Sequence, residues 1–347
     1  MANQSGFESP SEFSKKPPPL SHLRRLTTDR GIIQHARGEK PDLRFGYSID
    51  DSARALVVCL WYADLYGVGK VRKLAQIYLE QIAKAQLPNG SFHNFQDRGG
   101  RFLDQEGSQD SFGRTIWALG VAVHHPLVGK GTAQRLLMKA LPNVHRLQYI
   151  RSIAFALLGL AAAGYDPEAR ELGRKLVVRL HKRATSDWQW YEDCLRYSNG
   201  ILPYALLKTG DQALIALALK TLDFLNDVSR VDGVPAPIGN KGWYCKGGER
   251  AIFDQQCIDA ADMVLANVAA YQRTDQQTYF REAHDWMRWF YGFNVKGVVM
   301  VTKDGGCYDG LNERRVNRNQ GAESVLAFLL AYLTLAGCAR LSKISSL

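Results

Sequence analysis

The sequence lacks the motifs that bind nucleotides and the cysteine pairs that hold zinc. It contains neither G-x-x-x-x-G-K-[ST] nor G-x-G-x-x-G, the two glycine-rich loops that cradle phosphate groups. None of its six cysteines is spaced as C-x-x-C, the usual spacing of a zinc ligand pair. The sequence therefore predicts a protein with no cofactor and no bound metal.

A long apolar segment and a secretory signal are also lacking. The longest apolar run, residues 325–337, is too short to span a bilayer. Residues 1–19 are polar, end in the letters KKPPP, and have no apolar core of the kind found in signal peptides. We therefore expect residues 1–19 to be a disordered leader, and we expect no membrane partner.

Cysteine usage favours reduced thiols. Cys59 and Cys338 lie inside apolar segments, whereas Cys245, Cys257 and Cys307 lie in or beside predicted loops, where a weak cluster stays open. Reduced and mostly buried thiols are typical of cytosolic proteins. The sequence thus favours a cytoplasmic location over a framework of disulfides.

Positive charge exceeds negative charge, but it forms no basic block. The 347 residues carry a net charge of +10, and their lysines and arginines are scattered over many polar segments. A basic balance permits nucleic acid, anionic membranes or acidic sugars as partners. Because no nucleic-acid-binding motif accompanies the charge, we do not expect a nucleic-acid partner.

Apolar and amphipathic segments of helical length alternate along the chain. An apolar segment without a polar stripe is typical of a helix buried on all sides, and an amphipathic segment of a helix with one exposed face. The apolar segments are residues 53–65, 112–124, 153–164, 197–209, 257–271 and 320–337. The amphipathic segments are residues 70–86, 132–140, 167–183, 211–227 and 276–291, with residues 20–33 as the sixth.

Six such pairs predict an all-α protein, an (α/α)6 barrel or six-hairpin toroid. The apolar helices would form an inner ring and the amphipathic helices an outer ring, in one domain over residues 20–340 with a tail at 341–347. An α-solenoid is the main alternative, but the repeats differ too much in length for regular stacking. Pro203, inside the fourth apolar segment, is expected to kink that helix.

Acidic residues precede most of the apolar helices. Because the inner helices of such a barrel run parallel, their N-termini meet at one end, which we call the mouth. Glycoside hydrolysis needs a protonated carboxylic acid and a carboxylate beside the scissile bond. The candidate catalytic residues are Asp51, Asp110, Glu192, Asp193 and Asp254. The structural alternative is helix capping, for example by Asp50, Asp51 or Ser52 at the start of the first inner helix.

Three long loops, residues 87–109, 230–253 and 294–318, enter inner helices and would overhang the same mouth. Long loops in compact domains are usually functional. Aromatic rings stack on sugar faces, and Asn, Gln and Arg bind hydroxyl groups. The candidate substrate-binding residues are Tyr47, Asp50, Arg54, His93, Arg114, Trp190, Tyr191, Asn199, Trp243, Gln255, Tyr308, Asn319 and Gln320. Arg54 and Arg114, at matching places in two repeats, are also expected to brace neighbouring carboxylates.

The chain resembles the six-hairpin glycosidase superfamily over about residues 20–337. The segments that carry the resemblance are GYSIDDSARAL at 46–56, DSFGR at 110–114, WALG at 117–120 and NQGAES at 319–324. It is particularly similar to helical domains found alone or beside glycosyltransferases in bacterial sugar gene sets. The resemblance implies a carbohydrate-active enzyme, most simply a hydrolase of a short oligosaccharide, with a glycosyltransferase as a candidate partner.

Three other functions stay open. The letters SIDDSA at 48–53 are similar to the D-x-D-D-T-A motif of terpenoid cyclases, with Ser48 in place of the first aspartate. A sugar epimerase or isomerase would need a histidine pair in the cavity. The plausible sources are His35, His93, His124 and His125, of which the last two end an inner helix, at the end away from the mouth. A non-catalytic sugar-binding module is the third alternative.

Overall fold

Twelve α-helices, in the part of the chain that the structure describes, alternate between an inner and an outer ring. The structure is a computed structural model, and it describes residues 16–129 and 131–344. The inner helices are α2 (Ile49–Tyr66), α4 (Gln109–Ala122), α6 (Ile150–Ala162), α8 (Ile201–Leu207), α10 (Cys257–Thr274) and α12 (Ala322–Ile344). The outer helices are α1 (Ser21–Leu26), α3 (Arg72–Ala85), α5 (Thr132–Val144), α7 (Asp166–Arg183), α9 (Gln212–Val228) and α11 (Gln277–Trp289).

The inner helices close into a ring. Each inner helix packs against the next, and α12 packs against α2. Each outer helix from α3 to α11 packs against the inner helix that precedes it in the chain, and α1 packs against α12. The predicted (α/α)6 barrel, with the N-terminal segment as its sixth outer helix, is therefore confirmed.

The pattern of apolar residues explains the two rings. Every residue of α10 from Cys257 to Ala270 is buried, as expected for a helix surrounded by others. In α3 the buried residues Leu74, Tyr78 and Ile82 recur every four residues and leave a polar face exposed to solvent.

Glycines bring α4 and α6 into close contact. A Cβ atom on Gly120 would lie 1.9 Å from the carbonyl oxygen of Gly159, and a Cβ on Gly159 would lie 2.1 Å from the carbonyl oxygen of Ile116. No larger residue fits at either position without moving a helix backbone. These two glycines therefore fix how closely the second and third inner helices approach.

The fourth inner helix is shorter than predicted. It was expected over residues 197–209, but α8 covers only Ile201–Leu207. Ser198 has a φ of 49°, which a helix does not allow, so the chain turns just before α8 begins. Pro203 lies in the first turn, where its missing N–H has no intrahelical partner to lose, and so it gives no reason for the kink that we expected.

Both predicted terminal boundaries shift. Residues 16–19 of the predicted leader lie against the barrel, where the Tyr332 hydroxyl donates a hydrogen bond to the Lys16 carbonyl (2.9 Å); residues 1–15 lie outside the described residues. Helix α12 continues to Ile344, so residues 341–344 are helical rather than a tail.

The segment Ala322–Arg340 is long and apolar enough to cross a membrane by length and composition, contrary to our expectation, but 83% of it is buried inside the barrel.

Short antiparallel strands connect the loops around the mouth. They are β1 (Thr27–Thr28), β2 (Gly31–Ile32), β3 (Ala36–Arg37), β4 (Lys40–Pro41), β5 (Tyr47–Ser48), β6 (Phe95–Gln96), β7 (Cys194–Leu195), β8 (Arg230–Val231), β9 (Val234–Pro235), β10 (Tyr244–Cys245), β11 (Gln255–Gln256), β12 (Gly310–Leu311) and β13 (Val316–Asn317). The pairs β1–β2, β3–β4 and β8–β9 are hairpins, whereas β5–β6, β7–β10 and β11–β12–β13 join loops of different repeats. These last three sheets hold together the loops that overhang the inner ring.

One disulfide corrects the expectation of reduced thiols. Cys194 in β7 and Cys245 in β10 are bonded to each other, and so they link the loop before α8 to the loop before α10. The four free cysteines, Cys59, Cys257, Cys307 and Cys338, are buried as expected.

Candidate active site

A cleft of about 390 Å³ opens at the mouth, where the N-termini of α2, α10 and α12 meet. We call it the mouth cleft. Its lining residues are Gln34, His35, Ser48, Asp50, Asp51, Arg54, Asn94, Phe95, Asn240, Asp254, Gln255, Gln256, Cys257, Asp309, Gly310, Asn312, Asn317, Gly321, Glu323 and Ser324. The first, fifth and sixth repeats therefore supply most of the cleft.

Serines, rather than the aspartates, cap the first two inner helices. The Ser48 hydroxyl oxygen accepts a hydrogen bond from the Asp51 N–H (3.0 Å), and the Ser108 hydroxyl oxygen accepts one from the Ser111 N–H (3.1 Å). The capping role considered for Asp50, Asp51 and Ser52 is therefore wrong. Both carboxylates at the start of α2 are left to face the mouth cleft.

Arg54 lies among three carboxylates of the mouth cleft. Its Nη2 atom lies 2.7 Å from Asp51 Oδ1 and 3.7 Å from Asp50 Oδ2, and its Nη1 atom lies 3.2 Å from Glu323 Oε2. Only 4% of the Arg54 side chain is exposed. A buried cation of this kind offsets part of the repulsion between adjacent carboxylates.

Arg114 reaches the same cluster from α4. It donates hydrogen bonds from Nη1 to both oxygens of Asp50, at 3.1 and 3.2 Å, and its guanidinium stacks over the ring of Phe155. Arg54 and Arg114 thus brace neighbouring carboxylates, which was the alternative to direct substrate binding that we expected for them. Arg114 itself does not line the mouth cleft.

The two consecutive aspartates have opposite pKa shifts. Burial acts to raise the pKa of Asp50, but the positive charges of Arg114 and Arg54 outweigh burial, and the pKa lies below its ordinary value. Burial raises the pKa of Asp51 above its ordinary value; Arg54 opposes this shift, and the negative charge of Asp50 reinforces it. The pKa of one carboxyl group is thereby lowered while that of its neighbour is raised.

Two further carboxylates line the mouth cleft. Asp254 accepts a hydrogen bond from Asn312 Nδ2 (2.5 Å) and lies 3.3 Å from Lys241 Nζ. Asp309 accepts bonds from the Ser324 hydroxyl (2.7 Å) and the Gly321 N–H (2.8 Å), and burial raises its pKa. Asp254 was among the candidate catalytic residues, but Asp309 was missed because it lies eleven or more residues from any helix start that we examined. The sequence signal that could have identified Asp309 is the pair Asp309-Gly310, because Asp and Gly are common in loops and turns.

Three candidate catalytic residues lie outside the mouth cleft. Asp110 accepts hydrogen bonds from the hydroxyls of Ser152 and Tyr197, between neighbouring repeats. Glu192 pairs with Arg151 (2.8 Å) and Asp193 with Arg183 (2.7 Å). Glu192 and Asp193 line a separate rim groove, whose other residues include Gln148, Tyr149, Arg179 and Arg196.

Of the candidate substrate-binding residues, Asp50, Arg54 and Gln255 line the mouth cleft. Those that do not line it are Tyr47, His93, Arg114, Trp190, Tyr191, Asn199, Trp243, Tyr308, Asn319 and Gln320. The aromatic residues among these candidates therefore do not line the mouth cleft. Phe95 is the one Phe, Tyr or Trp among the lining residues, and 43% of it is exposed.

Packing and hydrogen bonds explain where these residues lie. Trp190 has no exposed surface and packs edge-on against Tyr191. The ring of His93 stacks on Phe102. Asn199 accepts a hydrogen bond from Arg151 (3.3 Å), and Asn319 accepts one from the Gly38 N–H (3.0 Å).

Amide side chains are the main polar lining of the cleft, and all of them except Gln255 were missed by sequence reasoning. The lining amides are Gln34, Asn94, Asn240, Gln255, Gln256, Asn312 and Asn317. Asn94 also positions the start of α2, because its Oδ1 accepts hydrogen bonds from the Asp50 N–H (3.1 Å) and the Ser111 hydroxyl (2.8 Å). Amides offer both donors and acceptors, which suits a ligand rich in hydroxyl groups.

Similar folds occur in several solved sugar enzymes, although no protein-family model and no curated protein matches the chain. Cellobiose 2-epimerase from Spirochaeta thermophila is 11% identical with a TM-score of 0.75, and the match covers 97% of each chain. A D-mannose isomerase is 12% identical with a TM-score of 0.73, over 94% of this chain and 95% of the isomerase.

A third similar structure is a family GH76 α-1,6-mannanase of Salegentibacter. It is 11% identical with a TM-score of 0.66, over 95% of this chain and 100% of the mannanase. That structure is an inactive variant in which two consecutive aspartates are replaced by alanine, in complex with α-1,6-mannotetrose. The likenesses show the fold alone, an (α/α)6 barrel.

Proposed function

We propose that the protein is a glycoside hydrolase that cleaves a short oligosaccharide in the mouth cleft. The observation that carries the proposal is the pair of consecutive carboxylates, Asp50 and Asp51, with opposite pKa shifts. Carboxyl groups whose environments push their pKa values apart are the usual acid and base of such a reaction. Asp51 is the proton donor to the leaving oxygen, and Asp50 is the ionised base or nucleophile.

The inactive mannanase variant supports this assignment. Its two replaced residues are consecutive aspartates, and it holds a linear oligosaccharide. Asp50 and Asp51 are consecutive aspartates in a barrel of the same fold, and both line a cleft that opens to solvent. The mannanase thus offers a precedent for chemistry by adjacent carboxylates in this architecture.

The lining of the mouth cleft favours an uncharged sugar. Arg54 is the one Arg or Lys among the lining residues, and three carboxylates already surround it. An acidic sugar would therefore meet the carboxylates of Asp50, Asp254 and Glu323 without a free cation. The net charge of +10 of the whole chain therefore does not define the substrate.

The alternatives fit the mouth cleft less well. An epimerase or isomerase was expected to need a histidine pair, and His35 is the one histidine among the lining residues. A terpenoid cyclase needs a deep apolar aromatic cavity, whereas this cleft is lined mainly by amides and carboxylates. The cytoplasmic location and the glycosyltransferase partner stay predictions. The disulfide removes one argument for the cytoplasmic location, because that argument assumed that all the thiols are reduced.

A turnover screen tests the proposal. Purified protein is incubated with short α- and β-linked oligosaccharides, including α-1,6-mannotetraose and cellobiose, and the products are followed by proton NMR. We expect release of a shorter sugar, and the anomer formed first distinguishes inversion from retention. Conversion of cellobiose to its 2-epimer without cleavage would show that the protein is an epimerase and not a hydrolase. Sugar binding without turnover would show that it is a sugar-binding module.

A further inference from the structure

The barrel has a second cavity at the end opposite the mouth. The C-terminal ends of α2, α8, α10 and α12 enclose a pocket of about 430 Å³, which we call the rear pocket. Its apolar walls include Trp61, Leu65, Leu265, Val268 and Leu333. Asp64 is the one carboxylate among its lining residues, and its Oδ1 lies 3.1 Å from His125 Nε2. This volume is within the usual range for small-molecule sites, and the rear pocket shares no lining residue with the mouth cleft.

Lys208, the residue that follows α8, supplies a positive charge to this apolar site. Its side chain is partly buried, and its Nζ lies 5.5 Å from the centre of the Tyr204 ring. Within residues 16–129 and 131–344, no carboxylate forms an ion pair with Lys208. Burial and the nearby charge of Arg273 lower its pKa. A cation that is partly removed from water and lacks a counter-ion is stabilised by an anion beside it.

Thr334 also lines the rear pocket from α12, but its hydroxyl oxygen has almost no accessible surface and makes no hydrogen bond with the described residues. The polar group that a ligand in this pocket can reach is therefore the Lys208 ammonium. The other cations of this end are engaged: Arg273 donates to the Leu207 carbonyl and Arg340 to the Leu65 carbonyl.

We propose that the rear pocket binds an amphiphilic carboxylate, whose apolar body contacts the pocket walls and whose anionic group pairs with Lys208. This site is independent of the hydrolase proposal, because it uses other residues at the other end of the barrel.

Calorimetric titration of the full chain with decanoate tests the proposal, with decanol as the uncharged probe of the same length. We expect one molecule of decanoate to bind, and to bind more tightly than decanol. Lys208→Met should weaken decanoate binding about tenfold or more, because a charge-assisted hydrogen bond is lost, while decanol binding stays the same. Lys220→Met, at an exposed lysine of the outer helix α9, should change neither affinity.

Two results would overturn the proposal. One is the absence of saturable decanoate binding to the wild-type protein. The other is equal decanoate affinity in Lys208→Met and wild type.

A fluorescence titration places the ligand independently of Lys208. Trp61 lines the rear pocket, so decanoate should change the tryptophan emission with the midpoint found by calorimetry, and Trp61→Phe should lose that change. A change that persists in Trp61→Phe would place the ligand elsewhere and overturn the assignment.

Discussion

Arg114 on α4 holds the carboxylate of Asp50 on α2, with its Nη1 atom 3.1 and 3.2 Å from the two carboxylate oxygens. The two residues are 64 positions apart in the chain. Their contact joins two neighbouring inner helices at the mouth and keeps one carboxylate of the cleft ionised. The chemistry proposed for Asp50 thus depends on a helix that does not itself line the cleft.

Replacing either consecutive aspartate should abolish most of the proposed turnover. Asp50→Asn and Asp51→Asn are each expected to lower kcat/KM by about 100- to 10,000-fold, the usual contribution of a positioned acid or base. Initial rates on the substrate found in the screen measure this effect, and circular dichroism confirms that the variants are folded.

Asp110→Asn is the matched control for these variants. Asp110 also follows a capping serine at the start of an inner helix, but it lies outside the mouth cleft. We expect it to retain turnover within a few-fold of the wild type. A larger loss in Asp110→Asn than in Asp50→Asn and Asp51→Asn would contradict the assignment of the site.

Arg114→Gln should shift the pH dependence of turnover. Asp50 acts in its ionised form, and Arg114 is the largest of the influences that lower its pKa. Without that positive charge the pKa of Asp50 rises, so the carboxylate stays protonated up to a higher pH. We expect the acidic limb of the kcat/KM profile to move to higher pH.

Arg151→Gln controls for the loss of any buried arginine at the mouth. Arg151 braces Glu192, which lies outside the mouth cleft, and its removal should leave the acidic limb in place. Equal profiles for Arg114→Gln and the wild type would mean that Asp50 does not set this limb.

The rings could be predicted from sequence, but most of the cleft could not. The apolar period of α10 and the four-residue repeat of α3 are local patterns, so they identify inner and outer helices directly. Asn240 and Asp309, by contrast, reach the cleft through loops whose paths depend on strand pairing between distant repeats. Their positions at a helix start identified Asp50 and Asp51 as candidates, and the same reasoning identified Asp110, which lies outside the mouth cleft. A residue's position in a helix does not determine which neighbouring helix or cavity its side chain faces.

Asp262 should make the stability of the barrel fall with rising pH. Burial raises its pKa to about 7, while the Ser198 hydroxyl hydrogen bond and two arginines oppose the shift. Between about pH 4 and 7 the folded protein therefore holds a proton that the unfolded chain has lost, and stability declines across that range. Asp262→Asn keeps an acceptor for Ser198 and removes the charge. The loss of unfolding free energy between about pH 4 and 7 should be smaller in this variant by a few kcal/mol.

Thermal or urea unfolding at several pH values measures the effect. Asp29→Asn, at an exposed aspartate between β1 and β2, is the control and should leave the pH dependence as it is in the wild type. An unchanged slope in Asp262→Asn would show that this carboxyl group is not protonated in the folded protein.

The disulfide should stabilise the loops beside the rim groove. Cys194 and Cys245 are 51 residues apart, and closing a loop of this size stabilises a protein by about 2–4 kcal/mol. We expect a reductant to lower the melting temperature of the wild type. It should have no effect on the double variant Cys194→Ser, Cys245→Ser, which should already melt at the lower temperature. If the wild type is insensitive to reductant, the bond does not contribute to stability.

Two glycine substitutions in inner helices should have opposite effects. A Cβ on Gly159 would lie 2.1 Å from the Ile116 carbonyl oxygen, a backbone atom that cannot move alone, so Gly159→Ala must push α4 and α6 apart. We expect it to lower the free energy of unfolding by about 2 kcal/mol or more. Gly337 in α12 has room, because the nearest atom to its Cβ would be a Leu65 methyl carbon at 3.9 Å.

Gly337→Ala should therefore raise the free energy of unfolding by about 0.5–1 kcal/mol, since alanine favours the helix and restricts the unfolded chain. Urea unfolding of both variants measures the difference. Helix propensity alone predicts that both alanines stabilise, whereas backbone contact predicts opposite signs. Stabilisation by Gly159→Ala would therefore mean that α4 and α6 lie farther apart than in this structure. The two helices would then contact each other through side chains and not through their backbones.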